Sequence, residues 1–274
     1  MPELPEIETV KRGIEHLSGH TITDVVIRNH SLRYPIPSNL KQTLVDQQII
    51  EITRRAKYLV FTLKSAKADT SYLILHLGMS GSVVLLDKST TTNKHDHVDI
   101  VFKSGIILRY NDPRRFGCLV YTLDIENHPL LTKLGPEPLS PQFNATYLIS
   151  KLKNKASSIK QLIMDNHIVV GVGNIYAVEA LFLARISPLR IGKNISESDA
   201  KLLVKMIKQV LIKAIELGGS SLRDYKKADG SLGYFQSIHN VYGKSGKKCN
   251  VCNNLIVEQR LGQRNSFYCP NCQK

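Results

Sequence analysis

The sequence predicts an α+β chain of several domains, strand-rich in its first half, helical in its second, and closed by a small cysteine module. Three observations predict this class. Short β-rich runs crowd residues 21–123, and apolar residues recur at helical spacing from 144 to 217. Cys249, Cys252, Cys269 and Cys272 then form Cys-x2-Cys-x16-Cys-x2-Cys. A length of 274 residues suits one large or two medium domains. A hydrophobic content of 42% is enough for an ordinary buried core.

The elements follow in order. Residues 3–18 read as a helix, because Ile7, Val10, Ile14 and Leu17 share one face and Gly19 stops it. Strand-forming runs occupy 58–63, 72–75, 82–86, 98–102 and 106–110, the last two joined by the hairpin turn Lys103-Ser104-Gly105. Many short strands point to a sandwich or flattened barrel. The Pro-rich stretch Gly135 to Pro141 marks a boundary. Helices are predicted over about 144–153, 156–165, 173–185 and 196–217, with Gly218-Gly219 ending the last. The organisation expected is an N-terminal domain (1–134), a linker (135–143), a helical domain with a long loop at 218–240 (144–240) and a cysteine module (241–274). A loop of that length is functional or mobile.

Charge narrows the partners. Lys and Arg number 37 against 23 acids, a net charge of +14. That excess favours a polyanion, nucleic acid first and an anionic membrane surface second. No apolar run approaches the ~18 residues of a membrane span. The amino end lacks the basic and apolar regions of a secretory signal. A cytoplasmic protein that does not enter membranes is expected. In that compartment the cysteine quartet reads as a zinc site rather than two disulfides. Four thiolates close a tetrahedral shell, so one zinc ion is expected, structural and not catalytic. Cys118 stands alone in an apolar stretch and reads as a buried small hydrophobe.

Several motifs could carry chemistry. Removal of Met1 would leave Pro2 as a secondary amine beside Glu3. A free α-amino group titrates near ~7.7–8.0, and its neutral form can attack a carbonyl-like carbon to give an imine. The plainer reading is that Pro2 starts the first helix. Lys57 precedes a strand within Arg-Arg-Ala-Lys-Tyr-Leu, where a solvated edge charge is the ordinary case. Met79 lies in the Gly-flanked loop His-Leu-Gly-Met-Ser-Gly. Arg114 and Phe116 occupy the turn Asp-Pro-Arg-Arg-Phe-Gly. Surface packing explains such a pair, and so does a wedge that replaces an unstacked base. In Lys-His-Asp-His, alternation would point His95 and His97 the same way. With no third ligand in view, phosphate contact or packing is preferred over metal. Asn174 opens a helix in Gly-Val-Gly-Asn-Ile-Tyr, after Lys155 and Lys160 on the preceding helix, which suits a backbone-binding module. Arg264 sits at the tip between the cysteine pairs, solvated or on phosphate.

Taken in order from Pro2 to Lys274, these motifs resemble the bacterial formamidopyrimidine-DNA glycosylases. Leu4 separates the chain from the related endonuclease VIII enzymes, which usually carry Gly there and prefer oxidised pyrimidines. The resemblance implies an N-terminal helix leading into a two-sheet β-sandwich, then a helix–two-turns–helix domain with a zinc ribbon. It implies a base-excision repair enzyme acting as a monomer on double-stranded DNA with oxidised bases. Such an enzyme removes 8-oxoguanine and formamidopyrimidines through an N-terminal imine, then cleaves the abasic site by β,δ-elimination.

The implied roles fall on matching residues. Pro2 would be the nucleophile at the sugar C1′, and Glu3 the adjacent acid/base. Lys57 would contact phosphate and donate a proton during β-elimination. Arg264 would hold the flanking phosphates and assist δ-elimination, with Asn174 on the same backbone. His95, Lys155 and Lys160 would add DNA contacts, while Met79, Arg114 and Phe116 would fill the gap left by the flipped nucleotide. The 218–240 segment would close over the damaged base. Two readings compete with it: a pyrimidine-preferring relative of the endonuclease VIII type, and a non-enzymatic zinc-ribbon protein that binds bent or damaged DNA.

Overall fold

The computed structural model describes residues 2–87, 90–220 and 235–274. Two compact units divide the chain: Met1–Thr132 with Leu217–Tyr234, and Lys133–Glu216 with Phe235–Lys274.

The first unit opens with α1 (Leu4–Ile14), and a 3-10 turn (Glu15–Leu17) completes the predicted span. Leu4, Ile7, Val10 and Ile14 form its buried stripe. Next come β1 (Ile22–Ile27), α2 (Leu40–Leu44), β2 (Gln48–Arg55), β3 (Tyr58–Lys64), β4 (Thr70–His76), β5 (Ser82–Leu86), β6 (Asp96–Phe102), β7 (Ile107–Asn111) and β8 (Cys118–Thr122). They build two antiparallel four-stranded sheets, β1-β6-β7-β5 and β2-β3-β4-β8. Leu59, Phe61 and Leu73 of one sheet meet Val25, Val98 and Phe102 of the other in a core that also takes Ile7 and Val10. The expected sandwich is there, with α1 as part of its core.

β6 does not keep strict alternation. Asp96 pairs with Asn111 and Val98 with Tyr110, which leaves His97 as the extra residue of a β-bulge. Asp96 and His97 are therefore both buried, and the alternation expected for His95 and His97 does not hold.

The second unit holds α3 (Ala145–Leu152), α4 (Ile159–Ile163), α5 (Asn174–Leu183), α6 (Glu197–Glu216), β9 (Val257–Leu261) and β10 (Arg264–Tyr268). Every predicted helix is present, α4 shorter than expected. Ser158 starts it with a capping box: its side chain accepts from the Gln161 N–H, and Gln161 answers the Ser158 N–H. α5 is buried from Ile175 to Phe182 because α6 packs on it and β10 touches it from the ribbon. The Pro-rich stretch is not a free spacer. Gly135 N donates to Asn166 O at 2.7 Å and Val170 N to Pro136 O at 3.2 Å, which fastens it to the α4–α5 connection. Among the described residues no helix is long and apolar enough to cross a membrane.

Candidate active site

Glu3, not Pro2, begins the first helix. Glu3 is the N-cap, with an extended backbone, and Pro5 supplies the proline of the first turn. Pro2 thus lies outside the helix, buried, just ahead of the cap. The expectation that Pro2 is the helix-starting proline is corrected: Pro5 does that work. Glu3 is 2% exposed, and its carboxylate accepts the Glu6 N–H. Glu6, equally buried, accepts the Glu3 N–H at 2.7 Å on Oε2. The two carboxylates complete a capping box at the N-terminal end of the helix.

Glu6 was not among the residues singled out, yet it reaches further. Its Oε1 accepts the Ser220 N–H at 2.7 Å. Gly219 has φ 80°, and a Cβ there would come within 2.9 Å of Glu6 Oε1. The chain that leads into residues 221–234 is therefore anchored on the cap of α1. Most of the segment expected to close over a base, 221–234, lies outside the described residues.

Lys57 is half-buried in the two-residue turn between β2 and β3, which Arg55 and Tyr58 close as a pair. Ala56 has φ 54° in that turn. Arg54 holds both sides: its Nη1 donates to Ala56 O at 3.0 Å and its Nε to Glu8 Oε2 at 2.8 Å. Burial works against the Glu8 charge, but Arg54 and Arg12 outweigh it and hold the carboxyl below its ordinary range. The Lys57 turn is thus pinned to the helix that carries Glu3. Burial, aided by the Lys57 and Arg33 charges, pushes His76 down to about 4, so its ring is neutral at physiological pH. The free Nδ1 lone pair accepts the Gly78 N–H at 3.0 Å.

Two turns of the sandwich carry the wedge candidates. Met79 is half-buried, Arg114 is exposed, and Phe116 is 49% exposed with the Arg114 guanidinium 4.8 Å above its ring. His95 is half-buried, its ring 6.5 Å from that of His97. His97 does not share the role suggested by its neighbour: its Nε2 bonds to Asp112 O at 2.7 Å inside the sandwich.

In the second unit Lys155 is exposed in the α3–α4 connection. Lys160 is different. It is 1% exposed, and its Nζ donates to Ser266 Oγ at 2.6 Å and Asn265 O at 3.2 Å. The expectation of a direct DNA contact is corrected here: the ammonium is spent inside the protein, on the strand that begins with Arg264. Asn174 donates from Nδ2 to the same Asn265 carbonyl at 3.0 Å, and its buried Oδ1 has no partner among the described residues. Arg264 is exposed at the start of β10, paired with Leu261 across the tip. Glu179 on α5, also missed, accepts N–H groups from Asn240, Val241 and Tyr242 at 2.8–2.9 Å and so holds the approach to the ribbon.

The four cysteine sulfurs lie within 4.8 Å of one another, with Cys249–Cys272 at 3.9 Å and Cys252–Cys269 at 3.4 Å. Zinc–sulfur bonds of about 2.3 Å in a tetrahedron put sulfurs about 3.8 Å apart, so the set fits one structural zinc ion.

Comparison with known proteins covers the whole chain. Family models match in order: the formamidopyrimidine-DNA glycosylase N-terminal domain over residues 1–119, the H2TH domain of those glycosylases over 134–226, and the zinc finger found in FPG and IleRS over 246–274. Formamidopyrimidine-DNA glycosylases of Photobacterium profundum and of an Enterobacter strain are 51% and 50% identical, covering 100% of both chains. A Lactococcus lactis FPG variant bound to Fapy-dG DNA superposes with a TM-score of 0.91 at 36% identity over 100% of both chains. The same organism's FPG on abasic-site DNA gives 0.90 at 36% identity, over 99% of both.

Proposed function

This chain belongs to the formamidopyrimidine-DNA glycosylase family, and from that premise we propose that Pro2, freed of Met1, is the nucleophile of a base-excision glycosylase and abasic-site lyase. The substrate is duplex DNA carrying oxidised purines. The observation that best supports this reading is the buried cap of α1: Glu3 lies directly beside Pro2, and Glu6 fixes its backbone from the other side.

The chemistry then runs on named groups. The Pro2 nitrogen lone pair attacks C1′ of the damaged nucleotide. The glycosidic C–N bond breaks, its electron pair leaves with the base, and the base takes up a proton. The Glu3 carboxylate takes the proton that the Pro2 nitrogen sheds and passes it to the ring oxygen as the C1′–O4′ bond opens, leaving an iminium between Pro2 and the sugar. Loss of a C2′ proton expels the 3′ phosphate in β-elimination, where Lys57 serves as proton donor. A second elimination expels the 5′ phosphate, assisted by Arg264. Water finally hydrolyses the imine and returns the free Pro2 amine.

His95, Lys155 and Asn174 hold the DNA backbone, while Met79, Arg114 and Phe116 occupy the space of the flipped nucleotide. Lys160 serves the same grip indirectly, by holding Asn265 and Ser266 behind Arg264. The protein works as a monomer in the bacterial cytoplasm, drawn to DNA by its net charge of +14.

Substrate choice tests the reading. With matched duplexes, excision of 8-oxoguanine opposite cytosine is expected to exceed that of thymine glycol by about tenfold or more, the scale on which a shaped pocket discriminates. Equal rates, or a preference for thymine glycol, would place the chain with the pyrimidine-preferring enzymes.

A further inference from the structure

The turns that carry Met79 and Phe116 are built as one object. A Cβ on Gly78, which has φ 63°, would lie 2.4 Å from Gly117 N and 2.5 Å from Phe116 C. A Cβ on Gly117 would lie 2.0 Å from Tyr110 Oη and 2.3 Å from His76 O. The Gly78 and Gly117 backbones thus meet with no room for a side chain at either position. At the centre of the contact is Asp112, which is 0% exposed.

Its carboxylate gathers donors from both turns. Oδ1 accepts the Ser80 hydroxyl at 2.9 Å and the Arg114 N–H at 3.3 Å, while Oδ2 accepts the Gly117 N–H at 2.8 Å and the Tyr110 hydroxyl at 3.0 Å. Ser80 Oγ also accepts the Arg114 N–H at 3.2 Å. The Asp112 carbonyl takes the His97 ring at 2.7 Å, through the residue that the β6 bulge turns inward. Every donor on the carboxylate is neutral. Ser80 follows Met79 directly and Gly117 follows Phe116, so these two wedge side chains are one residue from the clamp, and Arg114 belongs to it through its own N–H.

A buried carboxylate is a poor way to add stability, because its desolvation offsets most of what its hydrogen bonds return. It is a good way to fix geometry, since four directional donors converge on two atoms. We propose that Asp112 is the positioning residue of the wedge: by clamping the Ser80 and Gly117 turns together, it presents Met79, Arg114 and Phe116 to DNA as a single pre-shaped unit. This rests on the reading of those three residues as the wedge. A wedge shaped beforehand does not have to be ordered while a base pair is being opened, so the clamp speeds extrusion of a paired lesion.

The test compares single-turnover excision of 8-oxoguanine from a fully paired duplex with excision from a bubble where the lesion has no partner. A bubble removes the pair to be opened and with it the need for a rigid wedge. Asp112→Asn puts an NH2 group against the donors of one side. It is expected to slow excision from the paired duplex by about tenfold and to recover most of that loss in the bubble. Phe116→Ala is the reference and should show the same dependence on pairing. If Phe116→Ala shows none, the wedge reading fails and the clamp with it. If Phe116→Ala shows it and Asp112→Asn loses activity equally on both substrates, or on neither, Asp112 is merely structural and the proposal is overturned. Should Asp112→Asn not fold, Ser80→Ala and Tyr110→Phe each remove one donor and must show the same pairing-dependent loss, smaller in size; its absence in both overturns the proposal.

Discussion

Keeping one residue ahead of Pro2 is expected to lower both base excision and abasic-site cleavage by at least about a thousandfold, the scale of losing a covalent nucleophile. Retained Met1 turns the Pro2 nitrogen into an amide, whose lone pair is delocalised and cannot attack C1′. The change is small in volume and leaves the Glu3–Glu6 capping box intact, because the box uses the Glu3 N–H and the two carboxylates. DNA affinity should therefore stay within about threefold, since phosphate contacts set most of it. The comparison is made between protein with Met1 removed and protein extended by one residue, each verified by intact mass. Binding without cleavage in both forms would favour a non-enzymatic DNA-binding protein. Full cleavage by the extended form would remove Pro2 from the mechanism.

The second large effect concerns the ribbon. Cys249→Ser is expected to prevent zinc loading and to weaken binding of damaged DNA by about a hundredfold or more. Structural zinc supplies on the order of 10–16 kcal/mol to modules of this kind. β9 and β10 form a two-stranded sheet, which does not hold itself together in water. Cys249 and Cys269 also sit in the small core with Val178, Phe182, Val241, Ile256 and Phe267, so losing the metal frees the buried face of α5. Arg264 then loses its fixed position, and Lys160 and Asn174 lose the Asn265 carbonyl they share. Zinc content by mass spectrometry and affinity at one fixed salt concentration check the claim. A zinc-free variant that binds damaged DNA normally would contradict it.

The parts of this fold that were legible in the sequence are those whose periodicity is intact. α6 shows a clear apolar face through Leu203, Ile207, Val210 and Ala214. β3 and β5 begin and end within a residue of where their β-branched and aromatic runs place them. β1 and β2 were not resolved as separate strands, and both carry a register irregularity that breaks the period-2 signal. α2 has only five residues, too few for a helical pattern to emerge.

The candidate site divides the same way. Local motifs pointed to the cysteine quartet, the Lys57 turn and the Gly-Asn helix start. Long-range partners were not readable. Nothing near Lys160 in the sequence announces that Ser266, 106 residues away, accepts from its ammonium. Glu6 did leave a trace, three residues after Glu3, which is the spacing of a capping box. That signal is weak because the cap itself is a Glu rather than Ser or Thr. Asp112 gave no sign beyond its place in a turn, since its four donors come from two segments some thirty residues apart, as the separation of 32–34 positions from Ser80 records.

One particular nitrogen, that of Pro2, is expected to become bonded to the sugar. Reaction of the mature protein with 8-oxoguanine duplex under borohydride, followed by digestion and peptide mass mapping, reads that nitrogen directly. A reduced sugar adduct is expected on the amino-terminal peptide, on the Pro2 amine. An adduct on Lys57 or any other lysine, with Pro2 recovered free, would contradict it.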